Sequence, residues 1–275
     1  MRLLPLSRKL TLSENEYRYL DLLKKCLSDS IYDDGLDLMQ GMFVMDEQTG
    51  KVHSSDAPRA TAERKRLGAI WPSRAHTMIG MARLDNLQAC IETIIKDRVG
   101  GDLIETGVWR GGASIFMRGV LKAFGVADRK VWVADSFEGL PPPNAELYPQ
   151  DSEDTLHRFA DLAVSLEEVR RNFERYGLLD EQVSFLKGWF RDTLPSAPIE
   201  RLALMRLDGD MYESTMDALV HLYPKLQIGG FVIIDDWNAV PACNGAVGEF
   251  RRATRITAKL MLIEGCGAFW RKTAD

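Results

Sequence analysis

Four aspartates near the C-terminal end of the chain have the types and spacing to do chemistry. Asp208 and Asp210 lie in Leu207-Asp-Gly-Asp210, and Asp235 and Asp236 in Phe231-Val-Ile-Ile-Asp-Asp-Trp237. Each pair follows directly on an apolar run, the pattern of a buried strand that ends at its carboxyl edge. Adjacent parallel strands ending in this way would crowd several carboxylates together. Like charges so close must protonate or share a cation, and a hard, oxygen-seeking divalent ion is the simplest remedy. The pattern predicts a metal site at the mouth of an α/β sheet.

A glycine-rich turn, Gly107-Val-Trp-Arg-Gly111-Gly112, follows one predicted strand and opens a helix. Glycine there lets the backbone approach a ligand, and the helix N-terminus favours negative charge. The spacing is not Gly-x-Gly-x-x-Gly, which weakens a dinucleotide reading. Glu105, just before the turn, is placed to receive the ammonium of an amino-acid tail. Asp135, at the end of the next strand, is placed to take two ribose hydroxyls, although a cap or turn role explains an aspartate there equally well. Acid, glycine loop and ribose acid together fit S-adenosylmethionine better than NAD, whose pyrophosphate Glu105 would repel.

The elements that must position these residues alternate from residue 101 onward. Strands are expected at 102–106, 131–135, 183–187, 203–208 and 231–235, with helices at 113–124, 166–176, near 214–223 and near 244–252. Residues 259–263 and 268–272, separated by Gly-Cys-Gly, read as a closing antiparallel pair. Seven strands with five parallel crossovers and a terminal hairpin describe a doubly wound, Rossmann-like α/β sheet. The first hundred residues differ: helical spacing is expected over 17–31 and again from 77 to 94, and the polar stretch 46–66 reads as a mobile connection or lid. The expected division is an N-terminal helical extension and lid (1–100) and a cofactor-binding domain (101–275).

Of 275 residues, 45% are hydrophobic and 27% charged, as in a soluble globular protein, and the net charge is −5 without a basic block. Nucleic acid is therefore not the expected partner. The four cysteines are far apart and form no Cys-x-x-Cys pair, so neither a zinc knot nor a disulfide framework is expected. No run reaches the ~20 apolar residues of a membrane span, and the N-terminus is too interrupted for a signal peptide. A cytoplasmic protein without membrane partners is the expectation. Spare apolar surface on the N-terminal helical segment suggests a homodimer or higher homo-oligomer.

Six ordered stretches carry a family resemblance: Ala75-His-Thr-Met-Ile-Gly80, Ile104-Glu-Thr-Gly-Val-Trp-Arg-Gly-Gly-Ala113, Val131-Trp-Val-Ala-Asp-Ser-Phe137, Gly188-Trp-Phe190, Leu207-Asp-Gly-Asp210 and Ile233-Ile-Asp-Asp236. From about Tyr19 to the C-terminus the chain resembles the macrocin O-methyltransferase (TylF-type) family. The resemblance implies a class I methyltransferase fold, S-adenosylmethionine and Mg²⁺ as cofactors, and a sugar hydroxyl of an antibiotic or other natural-product glycoside as acceptor. It further implies Asp208, Asp235 and Asp236 as metal ligands, and Glu105, Gly107, Asp135 and Ser136 around the donor. Thr77 and Met78 would close over the donor, Gly188 and Trp189 would lie near the adenine, and Ser114 would be an additional contact. The first sixteen residues and 46–66 match the family pattern poorly and would shape the substrate mouth.

A sugar hydroxyl is a very weak acid, so a lone aspartate needs a cation to help deprotonate it. Asp208 would then join catalysis through the metal, with Asp210 as the base. The competing role for Asp210 is to cap the helix that begins near Ser214. His157, in an acidic segment, is a second candidate base, with a solvated surface histidine as the blander reading. A catechol acceptor keeps the same cofactor and metal. A non-catalytic binding protein is disfavoured by the intact acid set, and an NAD-linked oxidoreductase by the glycine spacing.

Overall fold

The computed structural model describes residues 9–32 and 34–274. Helix α1 (Glu14–Leu27) begins at a capping box in which the Ser13 side chain and Glu16 satisfy each other's backbone N–H groups. It starts three residues earlier than its apolar spacing predicts and buries Leu20, Leu23 and Leu27. The stretch 46–66, expected as a mobile connection or lid, holds the turn and second strand of a hairpin and most of a short helix. Strands β1 (Met42–Met45) and β2 (Val52–Ser55) pair as an antiparallel hairpin. Its turn is held by the Asp46 carboxylate, which accepts from the Gln48 and Thr49 N–H groups at 2.8 and 3.0 Å. Helix α2 (Ala62–Leu67) follows, capped by Thr61 and stopped by the left-handed Gly68. Helix α3 (Gly80–Lys96) buries Leu84, Leu87, Ile91, Ile94 and Ile95.

From there the chain builds β3 (Asp102–Thr106), α4 (Gly112–Ala123), β4 (Val131–Asp135), α5 (Leu166–Arg175) and β5 (Val183–Lys187). Next come α6 (Phe190–Thr193), β6 (Leu202–Leu207), α7 (Tyr212–Leu222), β7 (Leu226–Ile234), α8 (Pro241–Ala253), β8 (Met261–Leu262) and β9 (Ala268–Arg271). The sheet order is β5-β4-β3-β6-β7-β9-β8, with β9 antiparallel to β7 and to β8. Five parallel strands need four crossovers, not the five expected. The chain winds from β3 to β5 on one side, then crosses to β6 and β7 on the other. The reversal beside β3 is a topological switch point, where open α/β sheets bind ligands at the carboxyl ends of their strands.

Register fixes what emerges at that edge. Thr106 is level with Ala134 of β4 and Leu207 of β6, and Leu207 with Ile234 of β7. The N–H groups of Gly107, Asp208 and Asp235 continue the ladder by donating to Ala134, Thr106 and Leu207. The glycine loop and the acids therefore leave the sheet side by side. Strand alternation then sorts side chains between two cores. Leu103, Val133, Leu204 and Ile233 pack with α1, α3, α4 and α5, whereas Ile104, Ala134, Leu207 and Ile234 pack with α7 and α8. The N-terminal helices α1 and α3 share the first of these cores with the sheet.

Candidate active site

A cleft of about 670 Å³ opens at the switch point. Four of the strands feeding it are followed within four residues by a non-glycine residue in the left-handed region: Trp109 (φ 48°), Phe137 (φ 59°), Asp210 (φ 52°) and Asn238 (φ 68°). Such conformations are costly and persist where the surroundings enforce them, commonly at functional sites. Gly107 (φ 79°) is required by contact as well as by conformation, because a Cβ there would lie 1.6 Å from the Asp208 carbonyl oxygen.

Of the residues expected around the donor, Thr77, Met78, Glu105, Gly107, Asp135, Ser136 and Trp189 line this cleft. Ser114 and Gly188 do not; Ser114 is buried on α4, where its hydroxyl donates to Glu105, and Gly188 precedes Trp189. The Asp135 carboxylate accepts from the Val108 and Phe137 N–H groups, each at 2.7 Å, which fixes it between the two loops. Glu105, expected at the ammonium of the donor, lines the cleft and is engaged by protein groups. It is 1% exposed, and its two oxygens are taken by Arg206 Nη1 (2.5 Å) and by the Ser114 hydroxyl.

Arg206 is the hub of the site floor. Its Nη1 also donates to Asp208 Oδ2 at 3.0 Å, and its Nη2 pairs with Asp235 Oδ1 at 2.5 Å. Arg83 of α3 takes the other Asp235 oxygen at 2.5 Å. The Asp235-Asp236 doublet is thus split by strand alternation. Asp235 points to the α3–α4 face, where two guanidiniums claim it, and Asp236 points to the opposite face. Among the described residues Asp208, Asp210 and Asp236 each offer an oxygen within 4.8 Å of the others, while Asp235, expected with Asp208 and Asp236, is engaged by Arg206 and Arg83. Burial pushes Asp208 up to about 6, helped by Asp235, and Asp210 up to about 8, helped by Asp208. Asp236 rises well above the usual range through burial and the proximity of Asp210. Against the upward push of burial, Arg206 and Arg83 hold Asp235 below its usual value.

The chain matches the sequence model of the macrocin O-methyltransferase family (TylF) over residues 16–272. The chain belongs to this family. It is 55% identical, over 93% of both chains, to the 8-demethyl-8-(2,3-dimethoxy-alpha-L-rhamnosyl)-tetracenomycin-C 4'-O-methyltransferase of Streptomyces olivaceus. It is 49% identical to the mycinamicin III 3''-O-methyltransferase of Micromonospora griseorubida, over 93% of this chain and 96% of that one. The solved structure of the O-methyltransferase NovP superposes with a TM-score of 0.83 at 48% identity, covering 94% of this chain and all of that one. This member of the macrocin O-methyltransferase family is an O-methyltransferase with a class I methyltransferase fold. That fold implies S-adenosylmethionine as methyl donor.

In this macrocin O-methyltransferase family member the capping role weighed for Asp210 falls to another residue. Asp151, 1% exposed and distant in sequence, accepts from the Tyr212 and Glu213 N–H groups at 2.7 and 3.0 Å at the start of α7. Asp210 is left in the acid cluster, its own N–H donating to Asp236 Oδ2 at 3.1 Å. His157 is not part of the cleft lining; its carbonyl accepts from Lys51 Nζ. His76 hydrogen-bonds the Tyr176 hydroxyl at 2.8 Å, and burial lowers it to about 4. Arg83 and Arg206 are the site residues that sequence reasoning passed over. Arg206 carried a signal, as the one charged residue in the apolar run Leu-Ala-Leu-Met-Arg-Leu of β6.

The acid cluster makes stability depend on pH. Asp208 and Asp210 have ordinary values of 3.8, and in the folded protein they rise to about 6 and about 8. Between those limits the folded state binds more protons than the unfolded chain, so stability falls as pH rises. Scanning calorimetry of cation-free protein is expected to show the contribution of these groups intact below about pH 4 and lost progressively by about pH 8. A saturating divalent cation should restore the melting temperature most at the alkaline end.

Proposed function

We propose that the enzyme transfers a methyl group from S-adenosylmethionine to a sugar hydroxyl of a natural-product glycoside, assisted by a divalent cation, with Mg²⁺ as the physiological ion. The observation that carries the cation is the convergence of Asp208, Asp210 and Asp236 without an arginine to neutralise Asp210 or Asp236. Carboxylate oxygens of this kind suit a hard cation. Asp208 and Asp236 belong both to the observed cluster and to the family-implied ligand set, and they carry the cation in this proposal. Asp235 lines the same cleft and reaches the ion only by exchanging Arg83 or Arg206 for it. When bound, such a cation makes an acceptor hydroxyl a stronger acid.

The donor lies along the glycine loop, with Asp135 at the ribose hydroxyls, Gly107 and Ser136 beside the tail and nucleoside, and Thr77, Met78 and Trp189 enclosing it. Glu105, which precedes that loop, is held between the Ser114 hydroxyl and the Arg206 guanidinium. Asp210 accepts the acceptor proton as the hydroxyl oxygen attacks the sulfonium methyl in line, a displacement that depends on holding the two reactants together. The outer cleft is walled by Met39, Trp71, Leu140, Pro141 and Leu156. An apolar wall beside a polar floor suits an acceptor with a polar sugar and an apolar aglycone. The names of the relatives support this acceptor class, since they include a rhamnosyl-tetracenomycin 4'-O-methyltransferase and a demethyldecarbamoylnovobiocin O-methyltransferase from Streptomyces niveus.

Calorimetric titration with S-adenosylhomocysteine, with and without Mg²⁺, tests the cofactor half of the proposal. Binding is expected in both conditions and a separate Mg²⁺ heat in the first; absence of any S-adenosylhomocysteine heat would remove the donor site. For the assembly we propose a homodimer, supported by exposed apolar side chains on α1 (Tyr17, Leu22) and β1 (Phe43, Val44). Light scattering of the eluted protein checks it. Among the described residues no helix is long and apolar enough to cross a membrane.

A further inference from the structure

The wall of the cleft that faces β7 comes from the N-terminal region. Leu67, Gly68 and Ile70, then Thr77, Met78 and Ile79, line it. One buried side chain ties that wall to the acids. Arg83, 6% exposed, sits in the first turn of α3 and distributes its guanidinium over both. Its Nε donates to the Ile79 carbonyl at 2.9 Å, and its Nη2 donates to Gly68 at 2.8 Å and to Met78 at 3.4 Å. Its Nη1 donates to Asp235 Oδ2 at 2.5 Å, and that carboxylate is itself 5% exposed.

Burying a guanidinium is unfavourable unless its donors are paired. Here three of the four bonds fasten the guanidinium to the wall, and the fourth, to Asp235, crosses to the end of β7. Arginine's fixed fork suits the task, because one planar group holds three backbone carbonyls and a carboxylate in a set geometry. A lysine in its place would keep the charge without the fork. The neighbouring Arg206 holds Asp235 from the other side, and among the described residues its polar partners are Glu105, Asp208 and Asp235 rather than the wall.

We propose that Arg83 is a positioning residue that locks the 67–79 wall to Asp235, so that methyl-donor affinity depends on the Arg83–Asp235 pair even without a cation. The inference rests on the reading that this cleft takes S-adenosylmethionine. It assigns Arg83 no contact with the donor; the residue acts through Met78 and Ile79.

The test is calorimetric titration of S-adenosylhomocysteine into EDTA-treated wild type, Arg83→Gln, Asp235→Asn and the double variant, with amide hydrogen exchange of each. Each single substitution is expected to weaken binding about tenfold, within the usual range of coupling between linked sites. The double variant should bind no more weakly than the poorer single variant, because both remove one contact. Exchange should rise in residues 67–79 and stay unchanged in β4. Arg83→Lys, retaining the carboxylate pair, should fall between wild type and Arg83→Gln, and it stands in if Arg83→Gln does not fold. A multiplicative loss of about a hundredfold in the double variant, as independent sites would give, would overturn the proposal. So would unchanged exchange in 67–79. Wild type that fails to bind S-adenosylhomocysteine would instead overturn the donor assignment.

Discussion

Asp236→Asn is expected to lower methyl transfer by about a thousandfold and to abolish stoichiometric Mn²⁺ binding, read by electron paramagnetic resonance. Among the described residues Asp236, like Asp210, has no ion pair with an arginine, since Arg83 and Arg206 serve Asp235, Asp208 and Glu105. Its carboxylate sits well above its usual pKa in the cation-free protein through burial and Asp210, so a divalent ion is the partner it lacks. A bound ion supplies several kcal/mol of charge stabilisation to a transition state, and about 4 kcal/mol corresponds to a thousandfold. Asparagine keeps the size and one carbonyl oxygen but removes the charge. S-adenosylhomocysteine affinity measured without metal should be unchanged, because Asp236 faces the α7–α8 side of the sheet. If Asp236→Asn bound Mn²⁺ as tightly as the wild type, the cation would not lie on this cluster.

Asp210→Asn separates proton transfer from binding. The substitution is expected to keep S-adenosylhomocysteine and Mn²⁺ affinity within about threefold while lowering turnover between about a hundredfold and ten-thousandfold, the range for loss of a positioned general base. Burial and Asp208 hold Asp210 up to about 8 before any cation binds, which suits a group that must accept a proton near neutral pH. The main structural alternative has been taken over by Asp151, which caps α7. A stability effect through capping is therefore not expected, and the melting temperature should not fall. Near-normal turnover would remove Asp210 from proton transfer, and loss of Mn²⁺ binding would make it a ligand instead.

Much of the fold was legible because each parallel strand is a short apolar run bounded by polar or glycine residues. Strands β3, β4 and β5 have the bounds that their sequence predicts. The β1–β2 hairpin was not legible. Val-His-Ser-Ser has no apolar alternation, and Met42-Phe-Val-Met45 is exposed along its whole length rather than half-buried. The site was legible as a composition and not as an arrangement. Adjacent residues at a strand end point to opposite faces, and that alone separates Asp235 from Asp236. Which face carries arginines depends on the β3–β6 register that sets Glu105 beside Arg206, and on α3 packing across the sheet. Neither follows from local spacing. The Asp151 cap crosses about sixty residues of chain and likewise leaves no local trace.

Mass spectrometry after incubation with S-adenosylmethionine, Mg²⁺ and a deoxysugar glycoside, with a catechol offered in parallel, tests the central claim most directly. The account predicts that the glycoside gains one methylene on its sugar, that EDTA abolishes the gain, and that the catechol is unchanged. Methylation of the catechol with an untouched glycoside, or transfer to the glycoside undiminished by EDTA, would contradict it.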